Sequence, residues 1–481
     1  MAGAVTAAKR KATQARASEP AFLEKVSVLA KEGKDSVSLL GGTVRVLYWE
    51  SILGDTVMAS VVFTDAGNTM TSTKQTKRGS RPSKKKVSAV EGLPILGGEQ
   101  VDLKFTDNSG NSVIFDKDQS LFVNKINTIP TKSQTSSKSY ELILTSKEFM
   151  DNDLSQVKYC SAEQVSDQVK NILEKVLESE NIKEENIEDT KNAFQYDGNN
   201  KKAFYTINKL STMAVSAESQ ELGISAGYLF YQTADGYYFK SIDTLLSGEK
   251  KKDIIYNESA DNKIPEGYDI KALTLDTDNR VNVQKKLQMG ATNTKNVKID
   301  PFSTYYEVKT LNAFETEKDL KLGGQKLPPQ NKAFDGKTSR TTFFFTTTGQ
   351  QHMGSSEEQI EKSDKENFKK ADVVNQSIMR YNQLFASQIT ITIPGEFSLH
   401  AGESVWMDIP EISESENKPC GDEVNKVDGG LYIIADLCHY ITAKETYTKL
   451  NLIRDSIGRT GKGQNDRVSK IMDANFLPNI K

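Results

Sequence analysis

The stretch LPILGGEQVDLKFTD (Leu93–Asp107) returns much later in the same chain as FSLHAGESVWMDIPE (Phe397–Glu411). Gly98, Glu99, Val101, Leu103 and Phe105 align with Gly402, Glu403, Val405, Met407 and Ile409. In both copies a Gly-Glu turn opens a run in which apolar side chains recur at every second position, the period that sends one face of a strand into a core. The order persists downstream. LFVNKINTI (Leu121–Ile129) and YELILTS (Tyr140–Ser146) follow the first copy, and LYIIADLCHYI (Leu431–Ile441) and TKLNLIRDS (Thr448–Ser456) follow the second. Strands with Gly turns resemble one another in any all-β protein, but strand order, spacing and the turn agree together here. Two similar β modules in one chain are expected.

Composition limits what such modules do. A chain of 481 residues is too long for one small core and suggests about three domains. With 62 Lys and Arg against 65 Asp and Glu, the net charge of −3 lacks the basic excess of a general nucleic-acid binder. Cys160, Cys420 and Cys438 have no framework spacing, and their odd number suits a reducing compartment. No apolar run approaches the ~20 residues needed to cross a bilayer, so membrane insertion is not expected.

The chain divides by its changes of pattern. Residues 1–42 read as a flexible basic arm, with Lys9, Arg10, Lys11 and Arg16, and a short helix in which Phe22, Val26 and Leu29 share a face. The arm's composition is that of a transit peptide, without the apolar core of a secretory signal. Residues 43–150 form the first module. It is interrupted by TSTKQTKRGSRPSKKKVS (Thr71–Ser88), which carries Lys74, Lys77, Arg78, Arg81, Lys84, Lys85 and Lys86 and no acid. The aromatic residues that would stack on single-stranded bases are missing from it, so it reads as a solvated loop or one that docks on an acidic partner protein. Residues 151–223 turn helical: Ser161 and Gln164 stand at capping-box spacing before a stripe of Val165, Val169, Ile172, Leu173, Val176 and Leu177. A second face holds Phe204, Ile207, Leu210 and Met213.

Residues 224–247 return to strands around Asp235-Gly236, a dipeptide suited to a two-residue hairpin turn, and read as the first hairpin of the second module. Residues 248–372 are polar and loop-rich, with strand-like YYEVKTL and RTTFFFTTTG, and read as an insertion of a length that loop-closure entropy tolerates. Residues 373–457 complete the second module, after one more helix within Asp364–Leu384, and 458–481 form a tail. The second module carries an acidic loop, PEISESENKPCGDEV, with Glu411, Glu414, Glu416, Asp422 and Glu423. The fold class expected is α+β, mainly β, with two homologous antiparallel β-barrel domains, the second discontinuous, and an intervening α/β region.

Catalytic patterns are missing. His352, His400 and His439 do not stand at metal-ligand spacing with one another or with a cysteine. Cys438 and His439 are adjacent, so on a strand they point to opposite faces. The GKT at Gly336–Thr338 has Asn331 where a P-loop needs its first glycine. DTDNRVN from Asp276 begins like a calcium loop but has Val281 at the turning-glycine position and Leu287 at that of the bidentate acid. No G-x-S-x-G elbow and no paired-carboxylate pattern stands out, and neither an enzyme nor a cofactor is expected.

ESILGDTVMASVVFTD, LPILGGEQVDLKFTD, LFVNKI with YELILTSKE, AGYLFYQTADGYYFKSID, and GGLYIIADLCHYI with KLNLIRDSIG together span roughly Val44 to Gly458. In that order the chain resembles the baseplate hub subunit of contractile-tailed phages, the T-even type and its cyanophage-like relatives, which is related to the spike of type VI secretion. The resemblance implies two β-barrel tube domains per chain and a homotrimer whose six barrels ring a channel. The ring would join a trimeric central spike to a sixfold tail tube in the virion baseplate, after assembly in the host bacterial cytoplasm. Implied partners are the spike, tail-tube or tube-adaptor proteins, and wedge and tape-measure proteins, with the spike needle supplied by another protein. The basic arm and residues 248–372 depart from the T-even pattern, so the resemblance assigns them no role. An alternative of another class is a glycan-binding or hydrolytic tail module with its site in 248–372, near Phe343, Phe344 and Phe345. In the hub reading, Gly98, Glu99, Gly402 and Glu403 are the repeat turns. The basic and acidic loops are candidate partner contacts on opposite faces of the ring, with Asp107, Asp116 and Asp118 reinforcing the acidic face.

Overall fold

The computed structural model describes residues 20–30, 36–67, 70–74, 83–93, 95–130, 137–218, 226–257, 264–265, 267–278, 283–301, 304–317, 320–345, 355, 358, 370–409, 425 and 427–458. Most of the basic arm, residues 75–82, the whole acidic loop from Glu411 to Glu423, His352, Cys420 and the C-terminal tail lie outside them.

The chain is mainly β. The strands that decide the architecture are β1 (Phe22–Leu29), β2 (Thr43–Ser51), β3 (Met58–Asp65), β4 (Gln100–Thr106), β5 (Leu121–Ile129) and β6 (Lys138–Ser146). Helices α1 (Val165–Lys175) and α2 (Ala203–Ser211) come next, and then the hairpin β7 (Tyr228–Thr233) and β8 (Gly236–Ser241). The chain continues with β9 (Lys250–Ile255), β10 (Thr274–Asp278), α3 (Lys370–Leu384), β11 (Ser387–Pro394), β12 (Ser404–Asp408), β13 (Gly430–Thr442) and β14 (Thr446–Arg454).

Hydrogen-bonded neighbours in the first half run β1-β4-β5-β6-β3-β2, and in the second β9-β12-β13-β14-β11-β10. The two orders correspond strand for strand, β1 with β9 through to β6 with β14. One difference is the first pair, antiparallel for β1 with β4 and parallel for β9 with β12. Among the described residues, strand pairing closes neither half into a barrel. The halves instead join side by side, because β13 pairs with β2.

One apolar core runs through both halves. Ala59, Val61 and Phe63 on β3 point into it, and the residues at the corresponding register on β11 are Ile389, Ile391 and Ile393. Leu142 and Leu144 on β6 have Leu450 and Leu452 on β14. Each such side chain larger than Ala59 contributes about 1.5–3 kcal/mol on burial, which pins the strand register.

A separate body lies between the halves in sequence. Helices α1 and α2 bury Val165, Val169, Ile172, Leu173, Phe204, Ile207 and Leu210 against Phe230 and Phe239 of the hairpin. A strand at Ile182–Ile187 runs parallel to β8 and completes a three-stranded sheet. A third sheet, Asn293–Asp300, Tyr305–Asn312 and Arg340–Phe345, fills part of the region read as an insertion.

Five expectations need correction. The segment holding Phe22, Val26 and Leu29 is strand β1, not a helix: Val26 and Val28 are buried in alternation, and β1 pairs with β4 and so belongs to the first half rather than to an arm. The hairpin at 224–247 is not part of the second half's sheet; it is the floor of the helical body. Its turn is Ala234-Asp235, and only Gly236 takes a positive φ, 127°. Strands β9 and β10 supply the second half instead, from inside the region read as inserted. Helix α1 starts at Val165, with Gln164 at its N-cap and no side-chain cap, so Ser161 forms no capping box.

Candidate functional site

The repeated turn is repeated at the level of atoms. Gly98 and Gly402 both adopt left-handed backbone, φ 83° and 86°, a region costly for any residue with a Cβ. The Gly98 amide donates to the Val123 carbonyl at 2.6 Å, and the Gly402 amide to that of Ile434 at 2.8 Å. In return the amides of Val123 and Ile434 donate to the carbonyls of Glu99 and Glu403, both at 2.9 Å. Each carboxylate folds back on the turn that precedes it. Glu99 accepts from the Leu96 amide at 2.9 Å, and Glu403 from the His400 amide at 3.0 Å. One residue further along, both partner strands carry a bulge at the same place, Asn124 on β5 and Ala435 on β13. A bulge inserts one residue and bends its strand, so its position is a specific feature of a sheet.

The bulge divides β13 into two working lengths. Before it the strand pairs with β12, and after it Asp436–Thr442 pairs with Ser51–Arg45 of β2. At this junction His439 stacks on Tyr48, with ring centroids 6.0 Å apart and planes 16° apart, and Phe397 meets the imidazole edge-on at 4.6 Å. Burial drives the pKa of His439 down to about 3, so the ring is neutral; its Nδ1 is 2.9 Å from Thr448 Oγ1. Cys438 lies on the opposite face, where burial pushes the thiol up to about 11.

A buried charge locks the junction to the helical body. Glu50 on β2 accepts from the Tyr48 hydroxyl at 2.7 Å, from the amides of Ala234 at 2.9 Å and Ala401 at 2.8 Å, and faces His400 Nδ1 at 3.0 Å. The four partners come from β2, the β7–β8 turn and the second Gly-Glu turn. Burial alone would raise the carboxyl pKa, but the His400 charge and the hydrogen bonds from His400, Ala401 and Ala234 together outweigh it and hold Glu50 below its ordinary value. Burial also opposes charge on His400, and the Glu50 carboxylate reverses this, raising the imidazole from 6.5 to about 9. At neutral pH the pair is ionic, a tie between three elements. Spacing could not reveal it, because its members lie far apart in sequence. A second buried charge, Arg380 on α3, bridges Asp243 at 2.7 Å and Asp455 at 3.1 Å.

Of the candidate contact residues, Lys74, Lys84, Lys85 and Lys86 fall on a two-stranded antiparallel ribbon, Met70–Lys74 with Ser83–Val87, where a loop was expected. Lys77, Arg78 and Arg81 lie outside the described residues, as do Glu411, Glu414, Glu416, Asp422 and Glu423. Asp107, by contrast, is buried and accepts from the Phe397 amide at 3.1 Å, so it links the halves instead of presenting charge to a partner. Phe344 packs on the helical body, whereas Phe343 and Phe345 are exposed and share a face with exposed Tyr306 and Val308. Among the described residues no three His, Cys, Asp or Glu side chains gather as a metal site, and no helix is long and apolar enough to cross a membrane.

Comparison with known proteins returned solved structures only. No family model matches the chain. No curated protein matches it either. The chain is similar to the tail protein from Neisseria meningitidis MC58, at 10% identity over 89% of this chain and 96% of that one, with a TM-score of 0.46. It is similar to the 43 kDa tail protein of prophage MuSo2 from Shewanella oneidensis, at 10% identity over 90% and 99%, with a TM-score of 0.47. A third is an E. coli component of the type VI secretion system described as structurally similar to T4 bacteriophage tail proteins, at 8% identity over 91% and 80%, with a TM-score of 0.42.

Proposed function

We propose that the chain is a structural, non-catalytic baseplate hub of a contractile phage tail. Three copies form a ring of six β modules, two per chain, around a channel wide enough for DNA to pass. The observation that carries this reading is the duplication within one chain: the same strand order, the same Gly-Glu turn bonds and the same bulge, in two halves already joined edge to edge. A duplicated module lets three chains offer sixfold geometry to a tail tube and threefold geometry to a spike, which agrees with the family resemblance of the sequence. The central spike and a tail-tube or tube-adaptor protein are the axial partners, with wedge and tape-measure proteins as further contacts, and the ring works in the virion without sequence-specific DNA contact or membrane insertion. In the sequence the basic ribbon precedes the β4 turn and the acidic residues follow β12, and on this reading charges of opposite sign steer the two axial partners to opposite faces. Native mass spectrometry at micromolar concentration tests the assembly. A trimer is expected, and a monomer that persists even with spike and tube proteins present refutes it.

A further inference from the structure

The junction inside the chain has an unfilled counterpart. Beyond its bulge β13 pairs with β2, whereas β5 beyond the equivalent bulge has no strand on the side away from β6 over Asn124–Thr128, among the described residues. The equivalent of β2 is β10, and it pairs only with β11 among the described residues. One half of the duplication therefore presents the donor edge of this junction and the other half presents the acceptor edge. Burial agrees. His439 and Tyr48, opposite each other in the filled junction, are fully buried, while their counterparts Thr128 and Thr277 are exposed. Ile126 and Leu275 are partly buried against the common core, so the apolar faces of both edges already point the way the junction needs.

We infer that β5 of one copy pairs antiparallel with β10 of the next, in the register that β13 and β2 use within the chain. This rests on the ring reading above and names the contact that builds it. Register follows from the duplication. The bulge relates Lys125 to Asp436, and β3 and β11 relate Val46 to Leu275. The pair His439 with Tyr48 then becomes Thr128 with Thr277, and Cys438 with Trp49 becomes Asn127 with Asp278. Thr opposite Thr is a favourable cross-strand pair, and pairing removes two exposed edges that would otherwise template aggregation. Pro130, just past the end of β5, has no N–H to donate and limits the ladder there. The contact is head-to-tail, which generates a ring if the rotation closes and a filament if it does not.

The test is a register-specific disulfide in the full chain, with Cys160 and Cys420 replaced by serine. Opposite residues in an antiparallel pair have Cα atoms about 4.5–5.5 Å apart, inside the range a disulfide spans. Thr128→Cys with Thr277→Cys is expected to convert most of the protein to a covalent trimer on mild oxidation. Asn127→Cys with Thr277→Cys, one residue out of register and on opposite faces, is expected to leave it as separate chains. A native trimer that the first pair fails to cross-link overturns the edge pairing and leaves the ring reading standing; equal cross-linking by both pairs also overturns it. A covalent ladder running past the trimer supports the pairing and overturns the closed ring, and a monomer throughout overturns both.

Discussion

Substituting Glu50→Gln separates the charge at the junction from its hydrogen bonds. The volume is kept, but the amide has one acceptor oxygen where the carboxylate has two, and its NH2 faces either the Ala401 amide or the cluster of Tyr48, Ala234 and His400. Breaking a buried pair by altering one partner costs about 3–5 kcal/mol. The charge part follows from His400. Its folded pKa of about 9 lies above the ordinary 6.5, a difference worth about 3 kcal/mol at ~1.4 kcal/mol per pH unit. With the folded value raised, this contribution is fully present below about 6.5 and is lost as the pH rises through about 9. The penalty of Glu50→Gln, read as the difference in thermal unfolding between variant and parent, should therefore be several kcal/mol at pH 7. At pH 10 it should shrink to the ~1–3 kcal/mol of mispaired hydrogen bonds. Lysines and tyrosines that titrate near pH 10 do so in both proteins and cancel from the difference. An equal penalty at the two pH values refutes the ionic pair.

Gly402→Ala should cost more than the left-handed backbone penalty of about 1–2 kcal/mol, because the new Cβ also runs into the Tyr231 hydroxyl; a loss in urea unfolding confined to that range would refute the account. Arg380→Ala leaves Asp243 and Asp455 buried without their cation and should cost about 3–5 kcal/mol in the same assay, a loss under ~1 kcal/mol being incompatible with it. Replacing Lys84, Lys85 and Lys86 together by glutamine should weaken binding to one axial partner in low salt. The difference should fade towards physiological ionic strength, where the Debye length is ~8 Å, and unchanged binding to both partners would refute the steering role.

Legibility in the sequence followed the kind of constraint each segment obeys. The turns at Gly98-Glu99 and Gly402-Glu403 were legible because their demands are local: a left-handed residue, then a carboxylate able to turn back on its own backbone. β1 reads as a helix in the sequence because Phe22, Val26 and Leu29 satisfy a helical spacing while Val26 and Val28 satisfy a strand, and the long-range partner β4 decides. β7 is buried at all six positions, between the helical body on one face and the junction on the other, so it has no alternation to mark which sheet it serves. β10 reads as part of an insertion because TLDTD is almost wholly polar, whereas its counterpart β2 contributes Val46 and Tyr48. That difference has a physical cause in the single chain: among the described residues β2 is covered on both edges, whereas β10 is covered on one, and a strand left at an edge is kept soluble by the polar side chains that hide it from pattern reading. The segment hardest to recognise as a strand is thus the one whose second edge no described strand covers.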